Sequence, residues 1–339
     1  MRFRKEKDYF SCFNEKTGAY IRVGKNNIDP FMSSFPELLD VGIMGHCKHG
    51  KLGLCIQAGV QCYQDGLHST APNMKLEDFA EIARQCSGKT YQFALGGCGD
   101  PDQHEHFKDI LQICRENKIV PNYTTSGLGI TDEIVALTKE YCGAVAVSWY
   151  RSDYTLRALQ QFIEAGIKTN IHFVLSKRSI DEALSANFPD GINAVVFLLH
   201  KPVGLGTHEN VLKISDMNDF ISTVTSKKFK YKIGFDSCTV PALVNNLGII
   251  DEDSIDTCEG ARWSAYITSD MKMLPCSFDN QNRRWEVDLR EKSIQEAWNS
   301  EVFEDFRNRL RNACPNCEKR AMCMGGCPIC PEIVLCKKL

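Results

Sequence analysis

Between residues 38 and 202 the chain repeats one pattern. An apolar run with strand character gives way to a polar turn, then to an amphipathic stretch with helical spacing. The apolar runs occupy 38–45, 90–97, 119–127, 144–149, 168–176 and 194–202. Between them, 75–86, 102–117, 131–142 and 153–166 place apolar residues three and four positions apart, the signature of helices with one buried face. Most of these stretches end near Gly or Asn, residues that close helices. Six strand–helix units result if the segment 46–74 and its helix join the first two runs. Alternation of this kind predicts a parallel sheet covered by helices. Six units fall short of the eight of a closed barrel, so the expected fold is α/β, a partial (β/α)6 barrel of TIM type. A doubly wound open sheet is the alternative. In both, chemistry belongs in the loops at the carboxyl ends of the strands.

The pattern changes at both ends. Residues 9–24 read as two short strands around Lys16, Thr17 and Gly18, a hairpin, with 26–36 as a linker. After about residue 230 the alternation stops, and short apolar runs mix with cysteines and one helix, 293–312. The expected domains are therefore 1–36, a hairpin and linker; 37–228, the partial barrel; and 229–339, a small cysteine-rich domain.

Composition narrows the function classes. A net charge of −3, without a basic or acidic block, argues against nucleic acid as a partner. No apolar run is long enough to span a membrane and the start lacks a signal-peptide core, so the expectation is a cytoplasmic protein with no membrane partner. In that setting 17 cysteines are too many for ordinary packing and predict metal binding, by iron–sulfur clusters or zinc. Their placement sharpens the expectation. Cys47, Cys55 and Cys62 follow the first apolar run with seven and six residues between them. Three thiolates leave one iron of a four-iron cluster without a protein ligand, an open position for substrate or cofactor.

Here the sequence resembles the radical SAM superfamily. In that family three cysteines after the first barrel strand hold a [4Fe–4S] cluster whose fourth iron chelates S-adenosylmethionine (SAM). The Cys62-Tyr63-Gln64 ending is similar to the family's signature, although its usual intervals are three and two residues. Leu95-Gly-Gly-Cys-Gly-Asp-Pro, at the end of the second run, is similar to the family's GGEP segment. The resemblance implies that Gly96, Gly97, Cys98 and Asp100 face the cofactor, with Cys98 at the usual acidic position. Thr125 and Ser126 end the third strand, Ser148 ends the fourth with Arg151 just beyond, and Asn170 or His172 faces inward from the fifth. His46, His49, His68 and His200 read as ordinary polar residues, and Cys12, Cys86, Cys114 and Cys142 as single buried thiols.

The tail, Cys314-PN-Cys317-EKRAM-Cys323-MGG-Cys327-PI-Cys330-PEIVL-Cys336, is similar to the SPASM domain that follows some radical SAM barrels. The resemblance implies two auxiliary [4Fe–4S] clusters, three in all. Cys314, Cys317, Cys323 and Cys336 would hold one. Cys238, Cys258, Cys276 and Cys327 would hold the other, with Cys330 as a substitute for Cys327. It further implies a radical SAM oxidoreductase that generates a 5′-deoxyadenosyl radical and abstracts hydrogen from a substrate. Its partners would be a peptide or small protein, modified by thioether or carbon–carbon crosslinking, and an external electron donor of flavodoxin or ferredoxin type. With 46 residues before Cys47, no leader-binding winged helix is expected there. Asp279 and Asp236 are the candidate bases. The alternatives are formylglycine formation of the sulfatase-maturase kind, oxidation of a small metabolite, and a non-catalytic iron–sulfur or zinc protein.

Overall fold

The computed structural model describes residues 1–27, 30–251 and 255–336, so positions 28–29 of the expected linker lie outside the described residues. A small antiparallel sheet comes first: β1 (Arg2–Lys5), β2 (Tyr9–Phe13) and β3 (Tyr20–Gly24). The hairpin of β2 and β3 was expected, and β1 adds an edge to it. This sheet covers one end of the barrel. Phe13 is fully buried against Tyr91 and Val120, and Lys168 Nζ donates to the Thr17 carbonyl at 2.6 Å.

The main sheet contains β4 (Leu38–Met44), β5 (Gln92–Gly97), β6 (Val120–Thr125), β7 (Val145–Ser148), β8 (Thr169–Leu175) and β9 (Ala194–Leu199). They are all parallel and lie side by side in chain order. A doubly wound sheet reverses its strand order at a switch point, and this sheet does not. It is the singly wound partial barrel.

The connections start with two short helices, α1 (Lys48–Lys51) and α2 (Leu54–Gln57), ahead of α3 (Leu76–Cys86). Then come α4 (Phe107–Glu116), α5 (Asp132–Tyr141), α6 (Asp153–Glu164), α7 (Ile180–Ser185) and α8 (Ile214–Ser226). On α4 the residues Phe107, Ile110, Leu111 and Cys114 are buried. Their spacing lays one stripe on the sheet, with about 1.5–3 kcal/mol of transfer free energy for each large side chain.

Alternate residues of each strand meet these helices, and the rest face the barrel interior. Along β8, Ile171, Phe173 and Leu175 are buried in the outer core while Asn170, His172 and Val174 point inward. The other strands give Asp40 and Gly42, Ala94 and Gly96, Asn122 and Thr124, and Ala146 and Ser148 to that inner face. Closed barrels fill this space with bulky branched side chains. Here small and polar residues leave it hollow.

The sheet continues past the expected domain boundary. β10 (Lys232–Phe235) pairs in parallel with β9, and after α9 (Val240–Val244) the chain crosses to the opposite edge, where β11 (Ser264–Ile267) pairs in parallel with β4. β12 (Lys272–Leu274) and β13 (Val287–Asp288) extend that edge antiparallel. The expected single helix at 293–312 is two: α10 (Ile294–Trp298) and α11 (Glu301–Asn312). Ser293 and Glu296 form a capping box on the first, and Ser300 caps the second by accepting from Phe303 N. A serine hydroxyl that satisfies free N–H groups starts a new helix inside what reads as one apolar periodicity. The short α12 (Arg320–Cys323) lies among the last cysteines.

Candidate functional site

The three cysteines stand at the carboxyl end of β4. Cys47 caps α1, and its sulfur accepts from Gly50 N at 3.1 Å. Cys55 is buried on α2, and Cys62 lies on the loop that follows. Packing fixes this loop. A Cβ on Gly66 would press on the Cys47 side chain, and Gly204, at φ +61°, packs where a Cβ would overlap the Tyr63 carbonyl. His49 is buried, with Nδ1 3.2 Å from Cys55 Sγ and Nε2 2.6 Å from the Tyr154 hydroxyl. Burial pushes its pKa down to about 4, so the ring is neutral. If the Tyr154 hydroxyl donates to Nε2, Nδ1–H is left to donate to sulfur. Its reading as an ordinary polar residue missed this role, because nothing in the spacing joins His49 to Cys55 and Tyr154.

Burial pushes the thiols of Cys47 and Cys55 up to about 12, with Asp100 and the neighbouring cysteines adding to the effect. Sulfurs that raise one another's pKa in a buried site become thiolates only when a cation compensates them. A donor set of three thiols needing positive charge, with no fourth thiol in the loop, fits a four-iron cluster with one open iron. Among the described residues no three His, Cys, Asp or Glu side chains close around the position of a single metal ion.

The two glycines of β5 differ. Gly97, at φ +111°, lies where a Cβ would overlap the Met44 carbonyl, beside the register shift between β4 and β5. It is a packing requirement. Around a Cβ on Gly96 there is nothing within 4 Å, so its backbone opens onto free space at the barrel mouth. Ser148 pairs with His172 in register across β7 and β8. His172 Nδ1 lies 3.4 Å from Thr124 Oγ1, and burial pushes this imidazole down to about 4. Gly96, Thr124, Ser148 and His172 thus share the inner face near the cysteine loop.

Other expected cofactor contacts have different partners. Asp100 is buried and accepts from Ser126 N at 2.7 Å and Ser126 Oγ at 2.6 Å, clamping the β5 and β6 ends together. The Thr125 hydroxyl accepts from Gly127 N. The Cys98 thiol donates to the Gln64 carbonyl at 3.4 Å. Arg151 pairs with Glu182 and donates to the Ala58 carbonyl, tying down the end of the cysteine loop from outside. Asn170 accepts from Asn193 and lines a cavity with Glu15, Gly18 and Lys168 at the amino-terminal end of the barrel. Asn170 thus faces the barrel interior, in one cavity with Thr124 and His172 but two residues nearer the amino-terminal end, while Arg151 lies outside the inner face.

Two further cysteine groups assemble beyond the barrel. Cys238, Cys258, Cys276 and Cys327 line one cavity of about 200 Å³, whose wall Cys323 also reaches. Cys330 instead packs into the core, with its N–H on the Cys327 sulfur at 3.3 Å. Burial pushes the Cys323 thiol up, and Cys336, Cys314 and Cys317 lie close enough to add to the effect, which groups the second set of four.

The two candidate bases are both engaged. Asp279 is 1% exposed and accepts from Arg284 N at 3.2 Å and Trp285 N at 2.9 Å. Asp236 accepts from Lys201 Nζ, Thr239 Oγ1 and Leu199 N. A different carboxylate lines the cysteine cavity: Asp40, on the inner face of β4. No hydrogen bond reaches it among the described residues, and burial pushes it up to about 6. Its one sequence signal is an acidic residue inside an apolar strand.

Comparisons with known proteins bear on the fold and on the cysteine-rich domain. Residues 258–320 match the SPASM family model, described as an iron-sulfur cluster-binding domain. The fold is that of radical SAM enzymes whose partial barrel runs into a SPASM domain. Among solved structures, the chain is similar to Streptococcus suis SuiB bound to S-adenosylmethionine, with a TM-score of 0.76 and 16% identity over 99% of this chain and 98% of that one. It is also similar to SuiB bound to the precursor peptide SuiA, with a TM-score of 0.71 and 18% identity over 90% and 77% of the two chains. The structure of native anSMEcpe with bound AdoMet matches with a TM-score of 0.61 and 16% identity over 88% and 91%. No curated protein matches by sequence.

Proposed function

We propose that the protein is a radical SAM enzyme that oxidises a peptide. The observation that carries this reading is the gathering of Cys47 and Cys55, both buried, and the half-buried Cys62 in the loop after β4, close enough to raise one another's pKa. When bound, the cluster and SAM supply a 5′-deoxyadenosyl radical, with the electron drawn from a flavodoxin- or ferredoxin-type donor. His49 orients Cys55, Gly96 lets the cofactor approach the strand, and the close packing of Gly204 on the Tyr63 backbone holds the loop that carries Cys62.

Two observations favour a peptide. SuiB and anSMEcpe, of the same fold, have been solved with a precursor peptide and with AdoMet and a Cp18Cys peptide. In this chain an open groove of about 790 Å³ runs beside β10 and shares Asp236, Ser237 and Glu259 with the cysteine cavity, a route for an extended segment. With Asp279 and Asp236 held by their own partners, the carboxyl groups left on the cavity wall to take a substrate proton are Asp40 and Glu259, and Asp40 is the one that faces the barrel interior. Formylglycine formation through Asp279 loses its base by the same geometry.

Anaerobic reconstitution tests the reading. It predicts about twelve irons, three four-iron clusters, and release of 5′-deoxyadenosine on adding SAM and dithionite. Co-expression with small peptides encoded beside the gene then predicts a loss of about 2 Da per crosslink, one hydrogen from each joined atom. One or two zincs and no 5′-deoxyadenosine would instead make it a non-catalytic metal protein.

A further inference from the structure

Lys201 follows β9 and is only 6% exposed. A buried ammonium is costly unless something uses its charge. Its carboxylate partner, Asp236, does not need it for hydrogen bonding, since Thr239 Oγ1 donates to it at 2.8 Å and Leu199 N at 3.2 Å. The lysine lies between two ligand-bearing segments. Asp236 precedes Cys238 by two residues, and the Lys201 ammonium stands 4.4 Å over the ring of Phe278, two residues after Cys276. Asp236, Phe278, Cys238 and Cys276 all line the cysteine cavity.

The carboxyl groups on that cavity wall are Asp40, Asp236 and Glu259, and Lys201 stands against two wall residues, Asp236 and Phe278. A second cation, Arg262, reaches the Cys258 carbonyl at 2.9 Å and is held by Thr257 and the Phe31 carbonyl. Four thiolates around a four-iron core carry net negative charge, and one-electron reduction adds another. In a cavity of low polarity, a fixed cation favours the reduced form.

We propose that Lys201 is a positioning charge for the auxiliary cluster of Cys238, Cys258, Cys276 and Cys327, raising its reduction potential so that it accepts an electron from the substrate. The proposal rests on the cluster reading above. Burial opposes the charge on Lys201, but Asp236 together with the ligand cysteines Cys238 and Cys276 more than compensates and keeps the side chain protonated, and the cysteines continue to do so when Asp236 is replaced by Asn. The electrostatic effect is therefore permanent across ordinary pH. In the complete step the substrate gives one hydrogen atom to the 5′-deoxyadenosyl radical, one electron to this cluster and one proton to a base. That is a two-electron oxidation of the substrate, one electron leaving with the hydrogen atom taken by the radical and the other passing to the cluster.

The test is a redox titration followed by electron paramagnetic resonance on the reconstituted holoenzyme, with iron counted in every sample. Lys201→Met should move one of the cluster midpoints to more negative potential and leave the others in place, with iron content unchanged. Lys201→Arg should keep the wild-type value. Asp236→Asn, which removes the opposing charge, should move the same midpoint to more positive potential. A purely structural lysine would lower thermal stability without moving any midpoint, and that result overturns the proposal. If Lys201→Met loses its iron, an unmoved midpoint in Asp236→Asn overturns it instead. A wild-type protein without clusters overturns both this proposal and the reading beneath it, and the iron count tells the two failures apart.

Discussion

Asp279 separates a structural carboxylate from a catalytic one. It sits three residues after Cys276, close to where a substrate base would be sought, yet both its oxygens accept backbone N–H groups, from Arg284 and Trp285. Its own carbonyl accepts from Asn282 at 3.1 Å and Arg283 at 2.6 Å, so the residue organises the whole 279–285 turn. That turn seats Trp285, which is 3% exposed and donates to Asp305 at 2.8 Å. In Asp279→Ala two N–H groups lose their acceptor, at about 1–3 kcal/mol for each buried donor left unpaired. The Trp285 N–H is buried and the Arg284 N–H only half-buried, so about 3 kcal/mol is the reasonable sum. Unfolding entropy of about 2.1 cal/mol/K per residue gives a chain of 339 residues about 0.7 kcal/mol/K. The expected fall in melting temperature is then about 4 °C, with Asp279→Asn intermediate because its amide keeps one acceptor. The assay is thermal unfolding of the reconstituted protein, run beside peptide oxidation at a temperature well below the transition. Oxidation per folded molecule should be retained. An unchanged melting temperature with full iron content and abolished oxidation would refute this reasoning and restore Asp279 as the base.

Other positions give sharper contrasts. Asp40→Asn should leave 5′-deoxyadenosine release intact while slowing formation of the oxidised peptide by about 10²-fold or more, read by mass spectrometry. Because burial holds the Asp40 carboxyl near 6, with Glu259, Tyr63 and Tyr266 as its titratable neighbours, the wild-type product rate should rise with pH through about 6 as the base ionises. The Asn variant should lose that limb of the profile. His49→Phe should lower 5′-deoxyadenosine release by about 10- to 100-fold, the usual loss when a ligand's orienting partner is removed, with the auxiliary clusters still seen in the iron count. Gly97→Ala should destabilise the fold by about 1–3 kcal/mol, since it meets both a left-handed backbone and the Met44 carbonyl. Gly96→Ala should leave the melting temperature in place and weaken SAM binding, measured by calorimetry.

The alternation of apolar runs and amphipathic stretches made the partial barrel legible, since the parallel strands keep an apolar outer face and helices such as α3, α4 and α6 carry one buried stripe. Cysteine intervals were equally local, and the comparisons support the SPASM resemblance they carried. What stayed hidden depends on register and on contacts distant in sequence. Asp40 reads as a blemish in an apolar run until β4 is seen to present alternate residues to a hollow interior. Lys201 and Asp236 lie 35 residues apart and meet only because β9 and β10 pair. Asp279 looked like a base because sequence spacing gives reach but not partners. The helix expected at 293–312 was divided by Ser300, whose hydroxyl cap outweighs an uninterrupted apolar period.

Release of 5′-deoxyadenosine from SAM under dithionite, in anaerobic reconstituted protein, tests the central claim most directly. The account predicts release by the wild type and none from Cys47→Ala, Cys55→Ala or Cys62→Ala, each with its auxiliary irons intact. A wild type that holds its full iron and yields no more than the Cys55→Ala variant would contradict it.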